Sequence, residues 1–393
     1  MSDDVPAQDF IPLSDPDVST AELGAAERVL CAPRLSAGPI VDAFESAFAE
    51  YVGRRYAVAV ASGGIGMLLA LRAAGIGAGD EVITAPLAWH QTAHAIRHVG
   101  ARPVFADIDY WTCSIAPDKA ATRVGPGTRA LIAGNVNGHP AAWAELQELA
   151  ERRGLMLLED STEAIGSRYQ GRAVGSFGAL SVFDFSQPGV LCCGEGGIVV
   201  TDDPELDSRL RRLRNPRQGE RQSVGPASST AAGVPPLAAC LSDIAAAIGL
   251  AQLDRIDELL ARRKTIEMLY ERHIQSFEGI KPPYVSPAVT EVHWFLYLVH
   301  LGTRFTRSAR DAIIDDLATE NIEAAAMFRP LHAENAYRDL GYRKGELFVA
   351  EKIADRAIAL PFHAHLSDEQ VAFIVQTAKD ASINVGAGSA IYL

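Results

Sequence analysis

Between Ala57 and Val200, short apolar runs alternate with amphipathic stretches, and this alternation constrains the fold more than any other feature of the chain. The runs are Ala57–Ala61, Glu81–Ala85, Arg102–Ala106, Ala130–Ala133, Leu155–Glu159, Leu180–Phe185 and Gly197–Thr201. Several, such as Leu155-Met156-Leu157-Leu158, are apolar at every position instead of every second one. A strand with one wet face must alternate. A continuous run therefore predicts a strand buried on both faces, as in a parallel sheet covered by helices. Helical patterns separate several of the runs. One of them, Ala141–Arg153, stops at Gly154, where a helix commonly ends. The expectation is an α/β fold with a mostly parallel central sheet flanked by helices.

The pattern then breaks. Gln218 to Val234 is rich in Gly, Ser, Ala and Gln with little periodicity, which predicts a long surface loop. Ser242-Asp243 opens a helical run that reaches about His273. From about 280 to 380 two apolar strand candidates alternate with helices, predicting a smaller C-terminal α+β domain. Ser382–Leu393 is rich in Gly, Ala and Ser and reads as a mobile tail or an arm onto a partner subunit. The expected organisation is an N-terminal segment (1–37), a large α/β domain (38–260), a small domain (261–381) and a tail (382–393).

Charge and cysteine usage narrow the partners. A net charge of −13 disfavours nucleic acid or an anionic membrane as the main partner but says little about a small-molecule substrate, whose pocket can differ in sign from the whole. No uncharged apolar run approaches the roughly 18 residues that a membrane span needs. Five cysteines, odd in number and without a C-x-x-C pair, fit a reducing setting. The opening Met-Ser-Asp-Asp-Val-Pro lacks the basic and apolar blocks of a signal peptide, so a cytoplasmic location is expected.

Several motifs then carry a resemblance. Ser181-Val182-Phe183-Asp184-Phe185-Ser186-Gln187-Pro188-Gly189-Val190-Leu191, followed by Gly194-Glu195-Gly196-Gly197, resembles the cofactor stretch S-V-F-S-F-H-P-T-K-N-L-x-x-G-E-G-G of the DegT/DnrJ/EryC1/StrS sugar aminotransferases. Asp80–Thr84, Val104–Asp109, Ala246–Leu253, Arg329–His332 and Pro361–Leu366 are similar to further family signatures, in the family's order. The resemblance implies the fold-type-I pyridoxal-phosphate (PLP) transferase architecture. It also implies a dimer, either of this chain or with a paralog.

Position by position, the resemblance sets this chain apart. Gly189 stands where the family has the lysine that binds PLP as a Schiff base, and glycine has no amine to offer. Only six lysines exist (Lys119, Lys264, Lys281, Lys344, Lys352 and Lys379), none between 119 and 264. Asp184 replaces the family's phosphate-binding serine. The phosphate turn reads Ser62-Gly63-Gly64, keeping backbone donors but not the threonine hydroxyl, and Ala238-Ala239-Cys240 takes the place of an Asn-x-Arg stretch. Asp160 matches the aspartate that pairs with the pyridine nitrogen, Trp89 the stacking aromatic, and Glu163 the usual Gln or His. These substitutions lead to the expectation that no cofactor is used and that Ser62, Gly63, Gly64, Trp89 and Gly189 form a vestigial pocket.

Asp160, Glu163, Asp184 and His90 are then the candidate catalytic residues, in an acidic, aromatic-walled pocket suited to a cation or to acid–base work. Three functions compete. One is a repurposed PLP-independent enzyme of modified-sugar or specialised-metabolite biosynthesis. The second is a non-catalytic partner of an active paralog, and the third a PLP-dependent nucleotide-sugar aminotransferase. His90 and His94, four apart on a helical stretch, have metal-ligand spacing, but half-buried, hydrogen-bonded histidines are the commoner outcome and no metal is expected. Cys192-Cys193 reads as buried, inert thiol.

Overall fold

The computed structural model describes residues 10–186, 189–215, 236–274 and 280–390. The loop expected over Gln218–Val234 lies outside them. The chain opens with helices α1 (Thr20–Leu30) and α2 (Pro39–Val52), then enters the sheet at β1 (Tyr56–Val60). Next come α3 (Gly63–Ala73), β2 (Glu81–Thr84), α4 (His90–His98), β3 (Arg102–Phe105), α5 (Pro117–Thr122) and β4 (Thr128–Gly134). Helix α6 (Trp143–Arg153) leads to β5 (Met156–Asp160), a short hairpin of β6 (Arg168–Tyr169) and β7 (Arg172–Ala173), and then β8 (Leu180–Asp184), β9 (Gly197–Thr201) and α7 (Pro204–Arg214).

Seven strands form one sheet in the order β1-β9-β8-β5-β4-β2-β3. The pairs β3–β2, β2–β4, β4–β5 and β5–β8 are parallel; β9 runs antiparallel to both β8 and β1. The continuous apolar runs are explained by burial on two sides. Leu157 packs into the core on one face of the sheet and Leu158 into that on the other, and Val82 and Ile83 divide the same way. On the face carrying β1, β8 and β9, Phe44 and Phe48 of α2 meet Phe183 and Phe185 edge to face, with ring centroids 4.9 to 5.4 Å apart.

The helical run opening at Ser242 is two helices, α8 (Asp243–Asp254) and α9 (Ile256–Ile274), with Ser242 capping the first through Ala245 N–H. The C-terminal half supplies β10 (Ile280–Lys281), β11 (Val289–Glu291), β12 (Tyr297–Leu301), α10 (Arg307–Thr319), β13 (Ala325–Ala326), α11 (Phe348–Ala354), β14 (Ala357–Leu360) and α12 (Asp368–Ala390). Strands β10, β12, β14 and β13 form an antiparallel sheet, whereas β11 pairs with β6. One apolar cluster runs from Ile83, Leu131 and Leu157 of the large sheet to Tyr297, Val299 and Ile358 of the small one. The tail expected from Ser382 is instead a continuation of α12 to Ala390. Ala381 and Ser382 are buried and Val385 packs on the core, so the helix has a reason to extend.

Candidate active site

Asp160 and Asp184 are the last residues of β5 and β8, neighbouring parallel strands, so both leave the sheet at the same edge. That edge is where open α/β sheets bind ligands. A cavity of about 450 Å³ lies there. Its walls are the Leu87–His90 segment and α4, the residues after β4, and the segment Ala326–Glu334 from the C-terminal half. Trp89, His90, Asp160 and Glu163 all line it.

Two adjacent carboxylates on β5 have opposite circumstances. Glu159 is fully buried and accepts from Asn135 Nδ2, from the hydroxyls of Ser161 and Ser181, and from the N–H groups of Gly175, Phe177 and Gly178. Its bonds are complete, which marks it as structural. Asp160 is also buried but accepts from fewer donors, the Thr92 hydroxyl at 2.5 Å and Thr162 N–H at 3.2 Å. Burial raises its pKa above the usual carboxylate range; the two threonines oppose this and the charge of Asp184 adds to it.

Glu163 is partly buried beside it, held by Asn137 N–H at 2.5 Å. Burial lifts its carboxyl from 4.5 to about 7; the Asn137 bond opposes the rise and the Asp160 charge adds to it. His90 begins α4 at the cavity mouth, with His94 one turn on and the two rings 5.3 Å apart. Burial lowers the pKa of His94, as does the charge of His90. Among the described residues no three His, Cys, Asp or Glu side chains are grouped to hold a metal ion.

Asp184 is not brought into the cavity with the other acids. It is 4% exposed and turned toward α3, where its Oδ2 accepts Gly63 N–H at 2.6 Å. Its Oδ1 accepts Ser186 N–H at 2.8 Å and the Ser186 hydroxyl. Ser62 caps α3 by accepting Ile65 N–H at 3.3 Å. At Gly64 the Gln91 carboxamide fills the space, since a Cβ would come within 1.9 Å of its Oε1. Gly189 is absent from the cavity lining and donates its N–H to Ser186 O at 3.2 Å. None of the six lysines lines the cavity. Cys192 and Cys193 are buried and burial raises the pKa of both thiols.

Some residues of the site had no signal in the sequence. Thr92 reaches Asp160 because α4 starts at the cavity, and Asn137 holds Glu163 from a turn with φ of 52°. Arg329 and Glu334 arrive from far along the chain.

The sequence profile of the DegT/DnrJ/EryC1/StrS aminotransferase family matches residues 16–379. The chain belongs to this family. The spore coat polysaccharide biosynthesis protein SpsC of Bacillus subtilis (strain 168) is 34% identical over 377 residues, covering 94% of this chain and 97% of SpsC. Spr1654 of Streptococcus pneumoniae, solved in a PLP-form, superposes with a TM-score of 0.88 at 26% identity, covering 96% of this chain and all of that one. A PMP-form of Spr1654 gives 0.90, with coverage of 97% and 100%. DesI, solved in the presence of its TDP-sugar product, gives 0.86 at 30% identity, with coverage of 98% and 96%.

These relatives correct the expectation that no cofactor is used. The DegT/DnrJ/EryC1/StrS proteins are aminotransferases and include a structure in PLP-form, which points to PLP instead of no cofactor. Asp160 and Trp89, the residues that the resemblance assigns to the cofactor ring, both line the cavity. The fit stops at the ring: position 189 has no amine, and Gly63 N–H at the start of α3 is already engaged by Asp184.

Proposed function

We propose that the chain acts on a small sugar-derived substrate within this family's chemistry, with a pyridoxal-type ring seated on Asp160 and not tethered at position 189. The observation that carries this reading is the buried Asp160 carboxylate. It faces the cavity, and no cationic side chain among the described residues pairs with it. A buried carboxylate without a counter-charge is costly, and a protonated ring nitrogen would supply the missing partner. When bound, such a ring stabilises negative charge on the carbon beside an amino nitrogen. The amine form has no aldehyde to condense with a lysine, so a glycine at position 189 does not bar it.

The chain's own residues have distinct tasks in this proposal. Asp160 holds and orients the ring nitrogen's proton, and Trp89 covers the ring. Glu163, with its pKa near 7, holds a proton that it can give to or take from the substrate around neutral pH. Arg329, exposed on the rim and without a side-chain partner among the described residues, attracts an anionic group such as the diphosphate of a nucleotide sugar. The similarity to DesI supports that substrate class. A cytoplasmic dimer belongs to the same reading, with Leu23 and Leu30 of α1 as exposed apolar surface for a partner. Light scattering of the purified chain checks the assembly.

Equilibrium dialysis against pyridoxamine phosphate, followed by the absorption of retained vitamer, tests the cofactor seat. Near-stoichiometric retention by the wild-type chain and loss in Asp160→Asn is the expected result. Equal retention by both proteins, or none by either, overturns it.

A further inference from the structure

We infer that Asp184 is a built-in competitor for the phosphate of an incoming ligand, so that the cavity takes its ligand by the ring and gains little from a phosphate. The inference rests on the ring seat proposed above, but its observations are separate. Asp184 ends β8 almost fully buried, and three donors converge on its carboxylate: Gly63 N–H, Ser186 N–H and the Ser186 hydroxyl. Backbone N–H groups at a helix start, joined by a hydroxyl, are the donors a phosphate dianion uses. Here Asp184 takes one helix-start donor, Gly63 N–H, together with the N–H and hydroxyl of Ser186 just past β8.

Two further facts make this more than a shared preference. No room separates the carboxylate from the helix start: a Cβ on Gly63 would stand 2.6 Å from Asp184 Cβ and 2.8 Å from its Oδ2. No cation pairs with Asp184 among the described residues, so its negative charge is not neutralised. An arriving phosphate meets a like charge and occupied donors. It must displace the carboxylate or do without Gly63 N–H, the first donor of α3. Together with glycine at 189, this gives a cofactor that is held reversibly and exchanges with solution.

The alternative is that Asp184 only caps α3. The two are separated by comparing the wild-type chain with Asp184→Ser, which removes the charge and introduces a hydroxyl donor, and Asp184→Asn, which keeps the shape. Cooperative thermal unfolding is recorded for each with inorganic phosphate, and calorimetry with pyridoxamine and pyridoxamine phosphate. The expected wild-type result is similar affinity for the two vitamers and no response to phosphate. In Asp184→Ser, pyridoxamine phosphate should bind roughly tenfold or more tighter than pyridoxamine, the worth of about one charge-assisted hydrogen bond, and phosphate should raise the unfolding midpoint. If Asp184→Ser does not fold, Asp184→Asn decides, with a gap in the same direction. A strong phosphate preference already in the wild type, or folded variants indifferent to phosphate, overturns the inference. Should no protein bind pyridoxamine, the ring seat fails while the phosphate response still decides the role of Asp184.

Discussion

The Thr92 hydroxyl donates to Asp160 Oδ2 at 2.5 Å, and Thr162 holds the same buried carboxylate from its own N–H. Neither donor carries a charge. Because burial raises the Asp160 pKa, the ionised form is a cost to the folded chain without ligand. Asp160→Asn should therefore stabilise the unliganded protein at neutral pH. The gain should vanish at acid pH, where the wild-type carboxyl is protonated in both states. The same substitution should weaken binding of a ring cation roughly tenfold to a hundredfold. Chemical denaturation at two pH values and calorimetry measure the two effects; a variant that is both less stable and unchanged in binding contradicts the assignment.

Glu163 predicts a pH dependence. Its folded carboxyl is raised from 4.5 to about 7, so its contribution to stability is fully present below the unfolded value and is lost as pH rises through about 7. At about 1.4 kcal/mol per pH unit, the loss across that window is at most about 3 kcal/mol. Glu163→Gln does not titrate. The stability difference between variant and wild type should shift in the variant's favour between pH 4.5 and 7. Parallel urea curves across the window would show the carboxyl to be unshifted.

The thiols should separate by burial. Cys31 is exposed, whereas Cys113, Cys192 and Cys193 are buried, and burial pushes the Cys113 thiol up to about 12. A thiolate is the reactive form. Ellman's reagent should find Cys31 quickly and reach Cys192 and Cys193 only on unfolding. Cys31→Ser should remove the fast phase.

Gly138 fixes the turn that holds Glu163. Its φ is 95°, and a Cβ there would lie 2.1 Å from the His293 carbonyl oxygen. Gly138→Ala should cost about 2–4 kcal/mol, combining backbone strain with a clash against main chain. Gly154, which ends α6 at φ 63° with open space around it, is the control. Gly154→Ala should cost only about 1 kcal/mol. Equal losses in the two variants would show that the contact with His293 is not tight.

The seven apolar runs were enough to place the seven strands of the large sheet. Continuity of apolar residues over four or five positions has one stable outcome, burial on both faces, and Leu157 and Leu158 show it directly. The chemistry missing at 189 was equally legible, because no fold gives glycine an amine. The motifs also carried the family. What they misjudged was the cofactor: the absent anchors at 184 and 189 were weighed above the retained Asp160 and Trp89, whereas the family's PLP-form structure points to PLP.

What only the tertiary structure decided is which carboxylates share a space. Asp160 and Glu163 are three residues apart, yet the cavity they line is closed by Arg329 and Glu334, brought in by the C-terminal half. Asp184 was legible as an acid at a strand end, but its direction was not. A side chain's rotamer follows the donors within reach, and the decisive donor, Gly63 N–H, belongs to a helix start 121 positions away in sequence. Local pattern was sufficient for the sheet and the family, and covalent composition for the glycine at 189. Non-local hydrogen bonds determined that one buried aspartate faces the cavity while its neighbour at the next strand end faces the protein.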